Sequence, residues 1–374
     1  MSGSSCGELL DLCLRGHPWT TDLLDRAIAE DQGRALFSVV VERLGDLFEP
    51  HLCDVYNRLF TEVIARVCPE LTPRTRCVAG RAGPWPAANR VYVLSRITLG
   101  ADVAVTSVLL DAAKRRYPSA EIVFAGPRKN YELFEAEPRI VHREIAYARG
   151  ASLHDRLQAS AALWFDDGLV LDPDSRLTQL GLIRVCPDDR YRLFESRSSG
   201  GDGSDRLPDL AARWAEDPEA RPYISPRPAT ESPADITVSL GVGENPAKRL
   251  DDKFEHQLLQ MLAETGASLL VDKGGSAAER KRVERALPSG ARTHDGAFAP
   301  FAAEIARSKL FVGYDSAAGH VASACGVPLI SIAKGFVSER MAARWRPIGT
   351  VIDGNAADVL DQARRALSTY TFRR

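Results

Sequence analysis

Three short segments hold residue types that can do chemistry together. The segment Gly313-Tyr-Asp315-Ser316-Ala317-Ala-Gly-His320 brings a carboxylate, a hydroxyl and an imidazole close along the chain. A helix starting after Asp315 offers free amides to an anion, Ser316 helping through its backbone, and His320 on the first turns lies within reach of a phosphate oxygen. Asp315 beside a phosphate is unfavourable unless its carboxylate accepts hydrogen bonds from hydroxyls. A sugar carried on that phosphate supplies them. A histidine in such a place is more often an ordinary packed residue, and the neighbouring Asp315 is what favours binding.

The second segment, Gly241-Val-Gly243-Glu-Asn-Pro-Ala-Lys248-Arg249, combines two glycines that permit close backbone approach with Lys248, a point charge suited to phosphate. It lacks the third glycine of a dinucleotide fingerprint and the Gly-Lys-Ser/Thr end of a P-loop, so a solvated turn lysine competes with the binding reading. The third, Ser95-Arg-Ile-Thr-Leu-Gly100-Ala-Asp102, puts a carboxylate where a helix begins, with Gly100 permitting a tight turn. Asp102 there is either a helix cap or a general base facing a cleft. Asp166, Asp167, Asp172 and Asp174 invite a metal reading, but they flank a strand on both sides and need not converge. Asp172 and Arg176 read better as a cleft-edge loop touching an acceptor. The seven histidines include no H-E-x-x-H or H-x-H spacing, so no metal site is expected.

These segments need elements to hold them. Residues 1 to about 80 carry apolar residues at helical spacing and no strand signal. The run Ala79-Gly-Arg-Ala-Gly-Pro84-Trp-Pro86 reads as a linker. From Arg90 the rhythm becomes strand, turn, helix, strand. Short apolar runs at Val91–Leu94, Glu121–Ala125 and Gly168–Leu171 suit buried parallel strands. Residues 196 to 234 look like loops joining two halves. A second series comes next, with strands at Ile236–Leu240, Ser268–Val271, Leu310–Val312 and Pro328–Ile332, and Asn355 as cap of a closing helix. Two such series imply two parallel-sheet domains facing across a cleft, with ligands beyond the carboxyl ends of the strands. All three segments come directly after strands.

Composition narrows the function classes. The 374 residues exceed one typical domain. Lys plus Arg total 48 against 50 for Asp plus Glu, a net charge of −2, which speaks against nucleic-acid binding through a general basic field. No run approaches the ~20 apolar residues of a membrane span, and the N-terminus lacks a secretory pattern. Seven scattered cysteines without a C-x-x-C pair read as reduced thiols in a cytoplasmic protein.

In this order the loops resemble those of the family-nine glycosyltransferases, the ADP-heptose:lipopolysaccharide heptosyltransferase group. The resemblance spans residues 90 to 350. Leu99-Gly-Ala-Asp102-Val, with Arg115-Arg-Tyr-Pro-Ser-Ala-Glu-Ile122 after it, is similar to the family's Leu-Gly-Asp-Val and Tyr-Pro-Asp-Ala segments, with Ala101 inserted. Lys248 matches the donor-loop lysine. Asp315, Ser316 and His320 match an Asp-Ser/Thr-Gly-x-x-His signature in which Ala317 replaces the usual glycine. The chain thus reads as an α/β GT-B fold of two Rossmann-like domains facing across a cleft, as the resemblance implies, preceded by an all-helical N-terminal extension that has no counterpart in the family pattern. Its expected divisions are a helical extension over 1–85, an acceptor domain over 88–230, a nucleotide-sugar domain over 231–352 and a closing helix over 353–374.

The function so implied is inverting, metal-independent transfer of a heptose-like sugar from a nucleotide-diphosphate donor, ADP-linked, to a hydroxyl of a cell-surface glycan or lipopolysaccharide. Asp102 is then the base. Lys248, Asp315, Ser316, Ala317, His320, Gly241 and Gly243 hold the donor, and Glu279 its ribose. Arg176 and Asp172 touch the acceptor, and no cofactor is expected. Two alternatives stay open: a sugar-nucleotide epimerase or hydrolase, and a non-catalytic nucleotide-sugar-binding scaffold. Open too are peripheral contact with the inner membrane and self-association through the N-terminal helices.

Overall fold

The computed structural model describes residues 4–75, 84–148, 150–243 and 245–372. Cys77, most of the expected linker (79–83) and Glu244 lie outside them. The helical block holds α1 (Ser5–Leu14), α2 (Thr21–Ala29), α3 (Glu42–Asp46) and α4 (Pro50–Val67). Thr20 caps α2 through its side chain, accepting from the amide of Leu23, and Pro50 opens α4 where its missing N–H costs nothing. The block is not a separate body. Leu9, Leu24, Tyr56, Leu59 and Phe60 share one apolar core with Leu153, Leu157, Leu182 and Ile183 of the next domain.

That domain is a five-stranded parallel sheet in the order β3-β2-β1-β4-β5. Its strands are β1 (Arg90–Leu94), β2 (Glu121–Gly126), β3 (Ile140–Glu144), β4 (Leu169–Asp172) and β5 (Tyr191–Leu193). Between them run α5 (Leu99–Ala101), α6 (Ser107–Arg116), α7 (Arg128–Tyr131) and α8 (Leu153–Ala161). The segment expected to be loop contains α9 (Leu207–Trp214), whose buried Leu207, Leu210, Ala211 and Ala212 cover α6.

The second sheet has six parallel strands in the order β11-β10-β9-β6-β7-β8. They are β6 (Ile236–Ser239), β7 (Leu269–Asp272), β8 (Arg292–His294), β9 (Leu310–Tyr314), β10 (Leu329–Ala333) and β11 (Thr350–Asp353). Its helices are α10 (Asp252–Glu264), α11 (Ala277–Ala286), α12 (Phe298–Ile305), α13 (Ala317–Ala324), α14 (Glu339–Trp345) and α15 (Val359–Leu367). Asp358, not Asn355, occupies the cap of α15, because Asn355 turns back onto Asp353. Counted from its own first strand, this order is the dinucleotide-fold order 3-2-1-4-5-6.

In both sheets the strand order reverses at one place, between β1 and β4 and between β6 and β9. Crevices at such switch points are where open α/β sheets bind ligands. The loops after β1, β4, β6 and β9 carry Asp102, Arg176, Lys248 and Asp315. Sequence and topology thus select the same four loops.

The two sheet domains meet through helices, α13 lying against α5 and the turn at Asp102–Thr106. Val103, Val105 and Leu109 share an apolar core with Phe301, Ala318, Val321 and Ala322. The buried guanidinium of Arg344 on α14 donates to the carbonyls of Asp205 and Gly201 at 2.7 and 2.9 Å. No helix among the described residues is long and apolar enough to cross a membrane.

Candidate functional site

The loops after β6 and β9 converge. Lys248 Nζ lies 2.5 Å from Asp315 Oδ2 and also donates to the Asp315 carbonyl at 3.3 Å. Ser316 stands at the N-cap of α13, yet its side chain makes no capping bond. Its Oγ is buried with no hydrogen-bond partner among the described residues, at the helix end whose first amides lack intrahelical acceptors. His320, one turn on, packs edge-on against Trp345 at 5.7 Å. Burial holds its pKa below the ordinary 6.5, with Lys248 acting in the same sense and Asp315 against, so the ring is neutral at pH 7. Gly243 has φ +60°, and the loop from Gly241 runs beside Glu279, whose Oε1 would lie 3.8 Å from a Cβ at Gly241. Glu279 Oε2 accepts from the amides of Gly275 and Ser276. One oxygen thus completes the capping box of α11 while the other faces the loop.

The loop after β1 abuts this set. A Cβ on Gly100 would lie 3.1 Å from His320 Cδ2 and 3.3 Å from Ala317 Cα. Gly100 sits inside the short helix α5, so its value is close approach to α13. The tight turn expected there is replaced by a helical turn.

Asp102 corrects a stronger expectation. Its carboxylate is fully buried and takes four donors. Oδ1 accepts from the Arg96 amide at 2.7 Å and Thr106 Oγ1 at 2.6 Å. Oδ2 accepts from Ser95 Oγ and Asn130 Nδ2, both at 2.6 Å. Burial pushes its pKa up while these bonds pull it down. With every lone-pair direction filled, Asp102 ties the loop after β1, the turn leading into α6, and α7 together and has no face to offer a substrate. The local cause is helix geometry. Residues Asp102–Thr106 form a π-helical turn, the usual result of one extra residue in a helix. Ala101 thereby lines the cleft where a carboxylate was expected.

Asp172 is corrected likewise. It is buried, accepting from the Ser175 amide, Thr178 Oγ1 and Tyr191 Oη at 2.5–2.6 Å. It shapes the loop and does not reach the cleft. Arg176 does reach it, with Nη1 buried and unbonded among the described residues. Asp174 is paired with Arg197 at 3.0 Å.

Beside these residues is a cavity of ≈ 160 Å³ bounded by Arg96 and Ala101, by Asp174 and Arg176, by Trp345, and by Glu42, Asp46 and Phe48 of the helical block. Sequence reasoning missed its helical wall and both Arg96 and Trp345. The guanidinium of Arg96 lies 5.8 Å from the Trp345 ring and donates to Ser196 Oγ at 2.8 Å. Phe48, Ile97, Asp174 and Leu180 all line this cavity with φ between +54° and +74°. Non-glycine residues seldom adopt that region, and such strain gathers where surroundings fix a functional geometry. Among the described residues no group of three or more potential metal ligands assembles.

No protein-family model matches this chain, and no curated protein matches it in sequence. Solved structures do. Escherichia coli heptosyltransferase WaaC with ADP is 14% identical with a TM-score of 0.55, over 75% of this chain and 99% of that one. E. coli ADP-heptose LPS heptosyltransferase II is 17% identical at 0.53, over 75% and 98%. A family-nine glycosyltransferase from Veillonella parvula is 16% identical at 0.51, over 77% and 96%. At such identities the likeness is one of fold: two parallel-sheet α/β domains in the GT-B arrangement.

Proposed function

We propose that this protein is a glycosyltransferase that moves a heptose-like sugar from a nucleotide-diphosphate donor, with ADP as the nucleotide, to a hydroxyl of a surface glycan or lipopolysaccharide. The observation that carries this reading is the convergence of Lys248, Asp315, Ser316 and His320 at one switch point, joined through Trp345, which packs on His320, to a cavity walled mainly by the other domain and the helical block. The fold-level likeness to proteins solved with ADP and with an ADP-heptose analogue supports the donor class.

In this reading the donor diphosphate lies over the start of α13. Its charge is met by Lys248, by the amides of Ala317 and its neighbours, and by His320. Preorganised donors of this kind stabilise the charge that grows on the leaving group, and no metal or other cofactor is invoked. Asp315 accepts from sugar hydroxyls. Gly241 and Gly243 let the backbone approach the nucleotide, and the free oxygen of Glu279 takes a ribose hydroxyl. Arg176 meets the acceptor. Attack from the face opposite the diphosphate, in a single displacement, inverts the anomeric carbon.

The test is a thermal-shift panel of ADP-, UDP-, GDP- and CDP-sugars, then transfer assays with the best ligand. Binding of the folded state alone raises Tm by mass action. Product formed only with acceptor present supports the proposal. Turnover of donor alone points to an epimerase or hydrolase, and binding without turnover to a scaffold.

A further inference from the structure

A base is needed opposite the donor, and the buried Asp102 is not free to serve. We propose that Asp46, supplied by the N-terminal helical block, is the general base that deprotonates the acceptor hydroxyl. This inference rests on the transferase reading above.

Three observations carry it. Asp46 ends α3 and lines the cavity between the domains, the space an acceptor would enter. It is also within electrostatic reach of Lys248, on the donor side, and of Arg96 and Arg176, on the acceptor side. No hydrogen bond holds its carboxylate among the described residues, whereas the cavity's Asp174 is tied to Arg197 and Ser196.

Its position is also fixed from outside. Two residues on, Phe48 (φ +54°) is buried in the core common to the two sheets, and Arg340 of α14 donates to the Phe48 carbonyl at 2.9 Å. A left-handed phenylalanine persists only where its surroundings over-determine it. The helical block therefore docks at this point and delivers Asp46 to the cleft in one orientation.

The groups facing Asp46 set its protonation. Burial and Glu42, one turn earlier, raise its pKa, while Arg176, Lys248 and Arg96 lower it, for a result of about 6. A base poised near the working pH combines availability with strength. Atoms and electrons balance in a single displacement. The hydroxyl O–H breaks and its proton passes to the Asp46 carboxylate. The hydroxyl oxygen bonds the anomeric carbon. The bond from that carbon to the diphosphate oxygen breaks, and its electron pair leaves with the diphosphate held by Lys248. Asp46 then releases the proton to solvent.

The experiment compares wild type, Asp46→Asn and Asp46→Glu in the full-length protein, with an ADP-sugar as donor. General-base removal typically costs about 10²–10⁴-fold, so kcat for Asp46→Asn falls by that range. Donor-induced Tm shift stays within about twofold, and Asp46→Glu recovers part of the rate. Wild-type kcat/KM falls as pH drops through about 6, and the residual Asp46→Asn rate lacks that limb. Because ionised Asp46 is disfavoured in the fold, Asp46→Asn keeps or raises Tm at pH 8, which a structural role would not allow. Transfer by Asp46→Asn within about fivefold of wild type, or a wild-type profile flat to pH 5, overturns the proposal. A wild type that binds donor and transfers nothing overturns the transferase reading instead, and Asp46 falls with it.

Discussion

Lys248 and Asp315 meet in an ion pair of 2.5 Å, with side chains 19% and 6% exposed, across the loops that come after β6 and β9. The cation proposed for the diphosphate is thus held in place before any ligand arrives, by the carboxylate proposed for the sugar hydroxyls. Lys248→Ala removes the phosphate charge and strands Asp315. Donor affinity is expected to fall at least tenfold, and stability by up to about 3 kcal/mol, since an orphaned buried charge costs more than the pair contributes. Adding Asp315→Asn to Lys248→Ala should restore most of the Tm and none of the donor binding. Calorimetry and titration on the two variants separate these effects.

His320 gives a pH signature of its own. Its pKa is lowered in the fold, so the unfolded chain takes up a proton first as pH falls below 6.5. Stability from this residue is complete above that value and declines as pH drops toward the folded pKa. Urea unfolding between pH 8 and 5 should show the decline, and His320→Gln should flatten it. A bound diphosphate favours the protonated ring, so donor binding is expected to take up protons and to tighten as pH falls from 7 to 6.

Asp102 is expected to behave as a structural residue. Asp102→Ala leaves four buried donors without their acceptor, a loss of at least about 3 kcal/mol when each orphaned group costs 1–3. Asp102→Asn turns an NH₂ toward two of them and loses less. The rate per folded molecule of Asp102→Asn should stay within about fivefold of wild type. A hundredfold loss of rate at unchanged Tm would instead return the base to Asp102.

Arg340 tests the docking of the helical block. It bonds the Phe48 carbonyl, Glu49 at 3.4 Å and Asp202 at 2.8 Å, and touches neither proposed ligand. Arg340→Ala should raise the acceptor KM and lower kcat by about tenfold, with donor affinity unchanged, if orienting a reacting group from a distance contributes as positioning residues do. Steady-state kinetics with donor and acceptor varied in turn reads both.

The sequence carried the sheets as far as their edges. The seven strands visible as apolar runs are β1, β2, β4, β6, β7, β9 and β10, each flanked by strands on both sides. The four that escaped are β3, β5, β8 and β11, the edge strands, where His142, Arg143, Arg192, Arg292 and Thr350 interrupt the apolar pattern. An edge faces solvent along one side and has no need of unbroken hydrophobicity. Helix α9 hid in a segment rich in Gly, Ser and Asp because it spans only Leu207–Trp214.

At the site, Lys248, Asp315, Ser316 and His320 were legible because each comes after a strand at fixed spacing. Arg96 and Trp345 were not, since nothing local marks an arginine in a loop or a tryptophan at a helix end as cleft-lining. Asp46 was out of reach for a deeper reason. Its neighbours Arg176 and Lys248 lie far along the chain, and only the docked helical block brings them together.

The widened turn at Asp102–Thr106 has a consequence for reading signatures at all. An additional residue rotates the helix on one side of it by about 100° relative to the other, so two chains can spell nearly the same word while presenting different letters to a substrate. Here the acidic letter turned inward became a rivet, and the cleft was left with a methyl group. With Asp174 bound up by Arg197 and Ser196, a free carboxylate for that void comes, in the proposed reading, from the helical appendage.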